Sequence, residues 1–367
     1  MKVNHICSNY DKFFVNLMEE QKKKGMDLRV FYFRAKERGL PDVNASYLDI
    51  RLNYSNWQRP FFYLKERNIV LDFFDIYKNK EFDILHAHTL FSNGYIALEA
   101  KKRWGNPYIV AVRDVDVNVF FKYRIYLRKL GIEILNEAEK IIYISDSYLE
   151  LMNSKYIPKT LRGEFLKKSV VIPNGVNPYY LNNKYFRNNI ENKTLNILTV
   201  GFVNKRKNQL AVSEAVIALN KKGIKTKYTI IGKVLDKRIF DKIKKNPYVN
   251  YVPFLPKEEL IKEYRQADIY VMPSITETFG LTYVEAMSQG LPIIYSKGQG
   301  FDNQFSEGVV GYHVESRNVD EIIDRVLDIR SNYEKISYNC STLSSKFNWE
   351  DISKQYINLY KEVLKEV

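Results

Sequence analysis

Short apolar runs separated by amphipathic helical stretches recur along almost the whole chain. This alternation limits the folds open to it more than any other feature. FDILHAH (82–88), PYIVAVRD (107–114), KIIYIS (140–145) and SVVIP (169–173) have the length and apolar content of buried strands, with helical stretches such as GYIALEAKKRWG (94–105) between them. The pattern restarts with LNILTVG (195–201), the helical NQLAVSEAVIALNKKG (208–223), KYTIIG (227–232), ADIYVMPS (267–274) and LPIIYS (291–296). Strand–helix alternation produces parallel sheets covered by helices on both faces. The run is too long for one sheet of ordinary size.

The break falls at IPNGVNPYY (172–180), where Pro173, Gly175 and Pro178 punctuate the chain ahead of an asparagine-rich stretch to about residue 193. The expected architecture is α/β: a Rossmann-like parallel-sheet domain over 1–175, a second over 176–347, and a helix over 348–367. Trp349, Ile352, Tyr356, Leu359 and Tyr360 share one face of that helix. The face suits packing outside the second sheet or back towards the first domain.

Composition narrows the function classes. At 45% hydrophobic and 27% charged residues the chain is globular in type. Asn4 and His5 interrupt the first apolar run, so no secretory core is expected there, and no run approaches the ~18 apolar residues of a membrane span. Cys7 and Cys340 have no metal-type spacing. The expectation is a cytoplasmic protein, at most peripheral at the inner face of the cell membrane. The net charge of +14 is spread over both halves. It fits either a lysine-rich soluble surface or an anionic partner, such as a membrane surface or a nucleotide. Nothing resembles a zinc finger, an RRM aromatic pair or a basic zipper, so nucleic acid is not an expected partner. VFFKYRIYLRKLG (119–131), read as a helix, carries a basic amphipathic face suited to an anionic bilayer; the alternative is an ordinary helix with its aromatics in the core. NWQRPFFYLKER (56–67) has a similar composition and would frame an acceptor site.

The densest chemistry lies in SITETFGLTYVEAM (274–287). DIYVMPS reads as a strand, ITETFG as the loop at its carboxyl end, and LTYVEAMSQ as the following helix, stopped by Gly290. Glu277 is then in the loop and Glu285 about one turn into the helix. Gly280 permits close backbone approach, and the helix start favours an anion. Two acids alone also admit a hydrolase pair or a metal site. A loop acid and a helix acid beside a phosphate-ready helix start better suit a ligand with a phosphate and several hydroxyls. A metal is not expected here, because further ligands are lacking. His86 and His88 face the same side of a strand, but two imidazoles without a third ligand also make a poor metal site. His5 and His313 are expected to be structural.

ETFGLTYVEAMSQGLPII resembles the E-x7-E signature of retaining glycosyltransferases of the GT-B fold, family 4. Four further segments agree in order and spacing. VGFVNKRKNQL (200–210) resembles that family's Gly-Arg-Leu…Lys-Gly/Asn loop, VIPNGVN (171–177) its interdomain Ile-Pro-Asn-Gly-Val-Asp, FDILHAH its Asp-Val-Val-His-Ala-His strand, and FNWEDISKQYINLYKEV its last helix. The resemblance implies that Glu285 holds ribose hydroxyls of a nucleotide sugar and that Glu277 bonds hydroxyls of the transferred sugar. It places Phe279, Gly280, Leu281 and Thr282 beside sugar and phosphates, with Gly201 and Asn204 on the facing donor loop. Lys207 aligns with the lysine that neutralises the departing diphosphate. The family's arginine after Gly201 is Phe202 here, and Arg206 is the candidate to replace its charge. VAVRDVDVN (110–118) resembles a loop near the reacting sugar, giving Arg113 and Asp116 as acceptor-side candidates; a structural pairing of the two is the alternative. His88, by the carboxyl-end rule, and Asn9, in a loop lacking the usual paired glycines, join them. DVD (114–116) matches a metal-binding DxD by letters but lies in the first domain, so no metal or other cofactor is expected.

The implied activity is metal-independent transfer of a sugar, with retention, from a UDP- or GDP-type donor to a glycan or lipid-linked acceptor hydroxyl in a cleft between the domains. Bacterial surface polysaccharide or glycolipid assembly is the implied setting. A nucleotide-sugar 2-epimerase and a non-catalytic nucleotide-sugar-binding subunit are the alternatives.

Overall fold

The first apolar run, Lys2–Cys7, forms strand β1 although Asn4 and His5 lie within it, and both are buried. A computed structural model of the chain describes residues 1–10, 12–41, 43, 45–186 and 194–366. The chain divides into two compact units. The first comprises Met1–Ile144, Leu149–Pro173 and Trp349–Val367; the second comprises Ser145–Tyr148 and Asn174–Asn348. The division falls between Pro173 and Asn174, two residues ahead of the 175/176 boundary, and Ser145–Tyr148 belongs to the second unit although it lies inside the 1–175 span.

The first unit holds β1 with β2 (Asp27–Ala35), β3 (Leu48–Tyr54), β4 (Ile84–Ala87), β5 (Tyr108–Val112), β6 (Lys140–Tyr143) and β7 (Ser169–Val171). They form one parallel sheet in the order β3-β2-β1-β4-β5-β6-β7. β5 is buried at every position, as a strand covered on both faces must be. The second unit holds β8 (Leu195–Val200), β9 (Thr226–Ile231), β10 (Val249–Val252), β11 (Ile269–Val271), β12 (Ile293–Ser296) and β13 (Gly311–Val314), again parallel, in the order β10-β9-β8-β11-β12-β13. Strand order reverses at β1/β4 in one sheet and at β8/β11 in the other. At such a reversal the loops leave in opposite directions and open a crevice beyond the carboxyl ends.

The helix Trp349–Glu366 packs on the first unit, not outside the second sheet. Its Ile352, Tyr356, Tyr360 and Val363 join one apolar cluster with Val3, Val30, Ile84 and Ile142. Complete burial of Ile352 or Val363 contributes roughly 1.5–3 kcal/mol each. Polar contacts fix the register: Gln21 Nε2 donates to the Tyr360 hydroxyl at 3.1 Å, and Lys140 pairs with Glu362 at 2.5 Å. Glu350 and Asp351 sit in the first turn, where the helix dipole favours acids.

The segment 119–131 is not one helix. A π-helical turn, Asp116–Phe121, is followed by a short 3-10 turn, Ile125–Leu127, and only then by the α-helix Arg128–Glu137. Asp116 anchors the π turn through backbone amides, and Phe121 and Leu127 are the buried side chains that pin it.

Candidate functional site

In the second unit the loop after β8 and the loop after β11 leave adjacent strands at the reversal point. They are stapled together: Ile275 N donates to the Arg206 carbonyl at 2.8 Å, and Asn208 Nδ2 donates to the Pro273 carbonyl at 3.1 Å. Asn204 Oδ1 accepts from Lys207 N at 2.9 Å, which turns the Lys207 side chain inward. Its stem passes over Gly201, whose φ of 152° and absent side chain leave that path open; an added Cβ would touch Lys207 Cε at 3.5 Å. Lys207 Nζ then lies 2.5 Å from Glu277 Oε2 and 3.5 Å from Met272 Sδ.

Both members of this pair are buried, at 8% and 6% exposure. Loss of water lowers the Lys207 ammonium below the usual lysine range, and the Glu277 carboxylate works against that by favouring the charged form. Ser274 Oγ donates to Glu277 Oε2 at 3.2 Å, and Glu277 N donates to Gln299 Oε1 at 2.9 Å, so the acid is held from both ends. Arg206 Nη1 reaches Glu277 Oε1 at 3.7 Å and donates to the Thr276 carbonyl at 2.9 Å. The structure therefore brings Arg206, Lys207 and Glu277 into one cluster. Phe202 is half-exposed.

Glu285 stands on the helix Leu281–Ser288, partly buried, and its Oε2 accepts from the Tyr264 hydroxyl at 2.9 Å. Burial pushes the Glu285 carboxyl up to about 7, against the opposing pull of that hydroxyl. Phe279 is buried among Phe301 and Phe347, so only its backbone can meet a ligand. Gly280 sits at φ 81° directly before the helix, and a Cβ there would lie 2.4 Å from the Tyr283 ring, so only glycine fits this turn. The amides of Leu281 and Thr282 open the helix and carry its positive dipole end, while Tyr283 N already donates to the Gly280 carbonyl at 2.9 Å. Thr282 Oγ1 accepts from the Tyr270 hydroxyl at 2.7 Å. Tyr264 and Gln299, which hold the two acids, were not among the sequence candidates. Gln299 follows β12, so the carboxyl-end rule applied to that strand would have found it; Tyr264 leaves no signal of its own.

In the first unit Asn9, His88 and Arg113 follow the neighbouring strands β1, β4 and β5. Arg113 Nε donates to the His88 carbonyl at 3.3 Å. Asp116 is placed otherwise than expected. It is buried and does not line a surface; its carboxylate accepts from the amides of Arg113, Leu90 and Phe91 at 2.8, 3.0 and 3.3 Å, which staples two strand-end loops. Asn118 Nδ2 donates to Asp114 Oδ1 at 2.7 Å, so both acids of DVD have structural partners.

The His88 ring is also buried, with its backbone alone at the strand end. A third imidazole stands beside it, which two-residue spacing could not reveal. His5 Nδ1 lies 3.0 Å from His88 Nε2, the His86 and His88 rings stack at 3.9 Å, and His86 Nδ1 lies 2.8 Å from the Tyr360 hydroxyl. The cluster His5, His86 and His88 has the composition of a metal site. One ring nitrogen of each lies within 4.8 Å of the others, and His5 Nε2, His86 Nε2 and His88 Nδ1 are buried without a hydrogen-bond partner. Burial drives His5 down to about 3 and His86 and His88 well below the usual range, so the rings are neutral; His5 bonds His88, and His86 stacks on His88 and bonds the Tyr360 hydroxyl of the last helix.

The pattern described as Glycosyltransferase Family 4 matches residues 12–180, and that described as Glycosyl transferases group 1 matches residues 182–340. The alpha-monoglucosyldiacylglycerol synthase of Acholeplasma laidlawii is 27% identical over 307 residues, covering 77% of this chain and 76% of that protein. Among solved structures, sucrose-phosphate synthase from Thermosynechococcus elongatus aligns over 100% of both chains with TM-score 0.77 at 17% identity. The Anabaena protein HepE in complex with UDP-glucose gives TM-score 0.68 at 15% identity, over 99% of this chain and 100% of that one.

Proposed function

The chain belongs to the family 4 glycosyltransferases of the GT-B fold, and from that premise we propose that it moves a sugar, with retention, from a UDP- or GDP-type nucleotide sugar to a hydroxyl of a glycan or lipid-linked acceptor. The observation that carries this reading is the buried Lys207–Glu277 pair with Arg206 beside it, next to the start of the helix Leu281–Ser288.

The chemistry needs this arrangement. Breaking the bond between the anomeric carbon and the diphosphate oxygen leaves negative charge on that oxygen. Lys207, Arg206 and the first amides of the helix are cationic or polarised groups fixed where that charge develops. Glu277 orients Lys207 and accepts from sugar hydroxyls, and Glu285 accepts from ribose hydroxyls. The acceptor hydroxyl forms its bond to the anomeric carbon on the face the diphosphate leaves, and its proton passes to the departing diphosphate oxygen. No enzymic general base and no metal are required in this scheme. Arg113 and Asn9, at strand ends of the first unit, are the proposed acceptor-side contacts, with Asp116 holding the Arg113 loop in place. HepE with UDP-glucose supports the donor class, and the diacylglycerol relative supports a lipid acceptor in cell-envelope assembly.

The test is incubation with UDP-glucose or GDP-mannose, diacylglycerol in detergent, and a chelator of divalent cations. The expected product is a glycolipid whose anomeric proton coupling shows the configuration of the donor. Inverted product, or turnover that stops with the chelator, overturns the scheme. Nucleotide binding without transfer or hydrolysis of any donor supports a binding subunit instead.

A further inference from the structure

Strands β1 and β4 lie side by side in the first unit, with His5 and His86 as register partners. Successive side chains of a strand alternate between its faces, so His86 and His88, two apart, emerge on one side. The ladder runs past the end of β4, where His88 N donates to the Ile6 carbonyl at 3.2 Å and keeps His88 in line. The three rings, from three of the chain's four histidines, are at most 1% exposed. Of their six ring nitrogens, three are engaged: His5 Nδ1 with His88 Nε2, and His86 Nδ1 with the Tyr360 hydroxyl. The other three, His5 Nε2, His86 Nε2 and His88 Nδ1, have no hydrogen-bond partner among the described residues. Unpaired polar atoms are costly inside a sheet, where aliphatic side chains would pack without that cost. The sugar transfer proposed above makes no use of these rings.

The same geometry suits an ion. Burial keeps the imidazoles neutral, which is the form that ligates. Zinc bound tetrahedrally at about 2.0–2.1 Å sets two ligating nitrogens about 3.3 Å apart. His5 Nδ1 and His88 Nε2 already stand 3.0 Å apart, and one nitrogen from each of the three rings lies within 4.8 Å of the others. A ligating histidine characteristically bonds an outer group through its second nitrogen, which fixes the ring. The Tyr360 hydroxyl does this for His86 Nδ1 and leaves Nε2 free, and Gln21 Nε2 donates to that hydroxyl at 3.1 Å. Arg113 is a cation acting on both His86 and His88, so a fourth ligand there would be an anion such as hydroxide. We propose that His5, His86 and His88 form a structural zinc site that ties β1 to β4 beneath the last helix, through His5 Nδ1, His86 Nε2 and His88 Nε2. The site is separate from the donor chemistry, and its test uses neither donor nor acceptor. Its ligands lie under a helix, so the ion exchanges only as that helix lifts, and a chelator present for the length of an assay leaves it in place.

The full chain, without a polyhistidine tag, is produced in medium containing Zn2+ or, in its place, Co2+, and dialysed against a chelating resin before elemental analysis. The expected result is one ion per chain, with the strong visible absorption of tetrahedral Co2+ in the cobalt form. The zinc-loaded chain should unfold at a higher temperature than chain produced without zinc, since an ion bound only by the folded state stabilises it. His5→Gln and His88→Gln should each abolish retention of the ion, with circular dichroism checking that they fold. His313→Gln, which removes the imidazole beside Asp302 and Glu307, should retain it in full. Tyr360→Phe keeps all three ligands but loses the outer bond to His86, and should weaken zinc affinity about 10–100-fold. Metal-free wild type, an octahedral cobalt spectrum, full retention by a folded glutamine variant at His5 or His88, or loss of the ion in His313→Gln overturns the proposal. Should those two glutamine variants fail to fold, Tyr360→Phe decides, and unchanged zinc affinity in it overturns the proposal.

Discussion

Lys207→Ala is expected to lower kcat by about 10²–10³-fold, the cost of removing one preorganised charged donor from a developing oxyanion. The donor's dissociation constant should move less, because the diphosphate gains most of its charge only as the bond breaks. The same substitution leaves Glu277 buried without its nearest cation. Removing one partner of a buried pair costs about 3–5 kcal/mol in general. Arg206, at 3.7 Å from the other carboxylate oxygen, and Ser274 should keep the loss towards the lower end. Stability and chemistry separate in the double variant Lys207→Met with Glu277→Gln, which buries no unpaired charge. It should recover the unfolding temperature and remain inactive. Saturating-donor kinetics with thermal unfolding reads both. Near-normal turnover in Lys207→Ala would move the leaving-group role to Arg206.

Glu285→Ala should raise the dissociation constant of the nucleotide sugar by roughly 100-fold or more, since it removes two hydrogen bonds to a charged acceptor, each worth about 1.5–3 kcal/mol. The wild type should also bind with a pH dependence that this residue sets. Its carboxyl titrates at about 7 in the ligand-free protein because burial penalises the ionised form. Accepting from two ribose hydroxyls requires the ionised form. Affinity for a nucleotide sugar, whose diphosphate is fully esterified and does not titrate there, should therefore fall about tenfold per pH unit below 7 and level off above it. Glu285→Gln should flatten this profile. The sign for folding is opposite. A carboxyl raised above its unfolded range stabilises the fold fully only at low pH, and the contribution is lost as pH rises through about 7. Glu285→Gln should accordingly unfold at a higher temperature than wild type near pH 8 while binding donor poorly. Isothermal titration from pH 5.5 to 8.5, with unfolding curves over the same range, checks both signs; a flat wild-type binding profile would remove the ribose role.

Much of the second unit was legible because its signals are local. β8, β11 and β12 are short, mostly apolar and mostly buried runs, and Glu277, Gly280 and Glu285 lie within nine residues of one another on a loop and its helix. What escaped depends on residues distant in sequence. β1 contains Asn4 and His5 inside its apolar run, and the reason His5 is buried there, a bond to His88, lies 83 residues away. Asp116 reads as an acceptor-side candidate or a partner of Arg113; only the folded chain supplies the three amides that hold its buried carboxylate. The helix drawn over 119–131 fails for a similar reason. The segment has helical periodicity, yet the anchoring of Asp116 and the burial of Phe121 and Leu127 break it into separate turns, and those turns bring Tyr123, Ile125 and Tyr126 to the surface.

The docking of Trp349–Glu366 on the first unit also orders events during synthesis. Every strand of both sheets has been translated by residue 314, and the second unit is complete by Asn348. The first unit, whose strands precede those of the second, is the last to close, because its sheet waits for a helix that follows the second unit in the chain. Until then the cluster that holds Ile84 and Ile142 lacks Ile352, Tyr356, Tyr360 and Val363, and His86 has no Tyr360 hydroxyl to meet. A chain that lacks this helix leaves that side of the first unit's sheet open. The exposed half is what a chaperone would find.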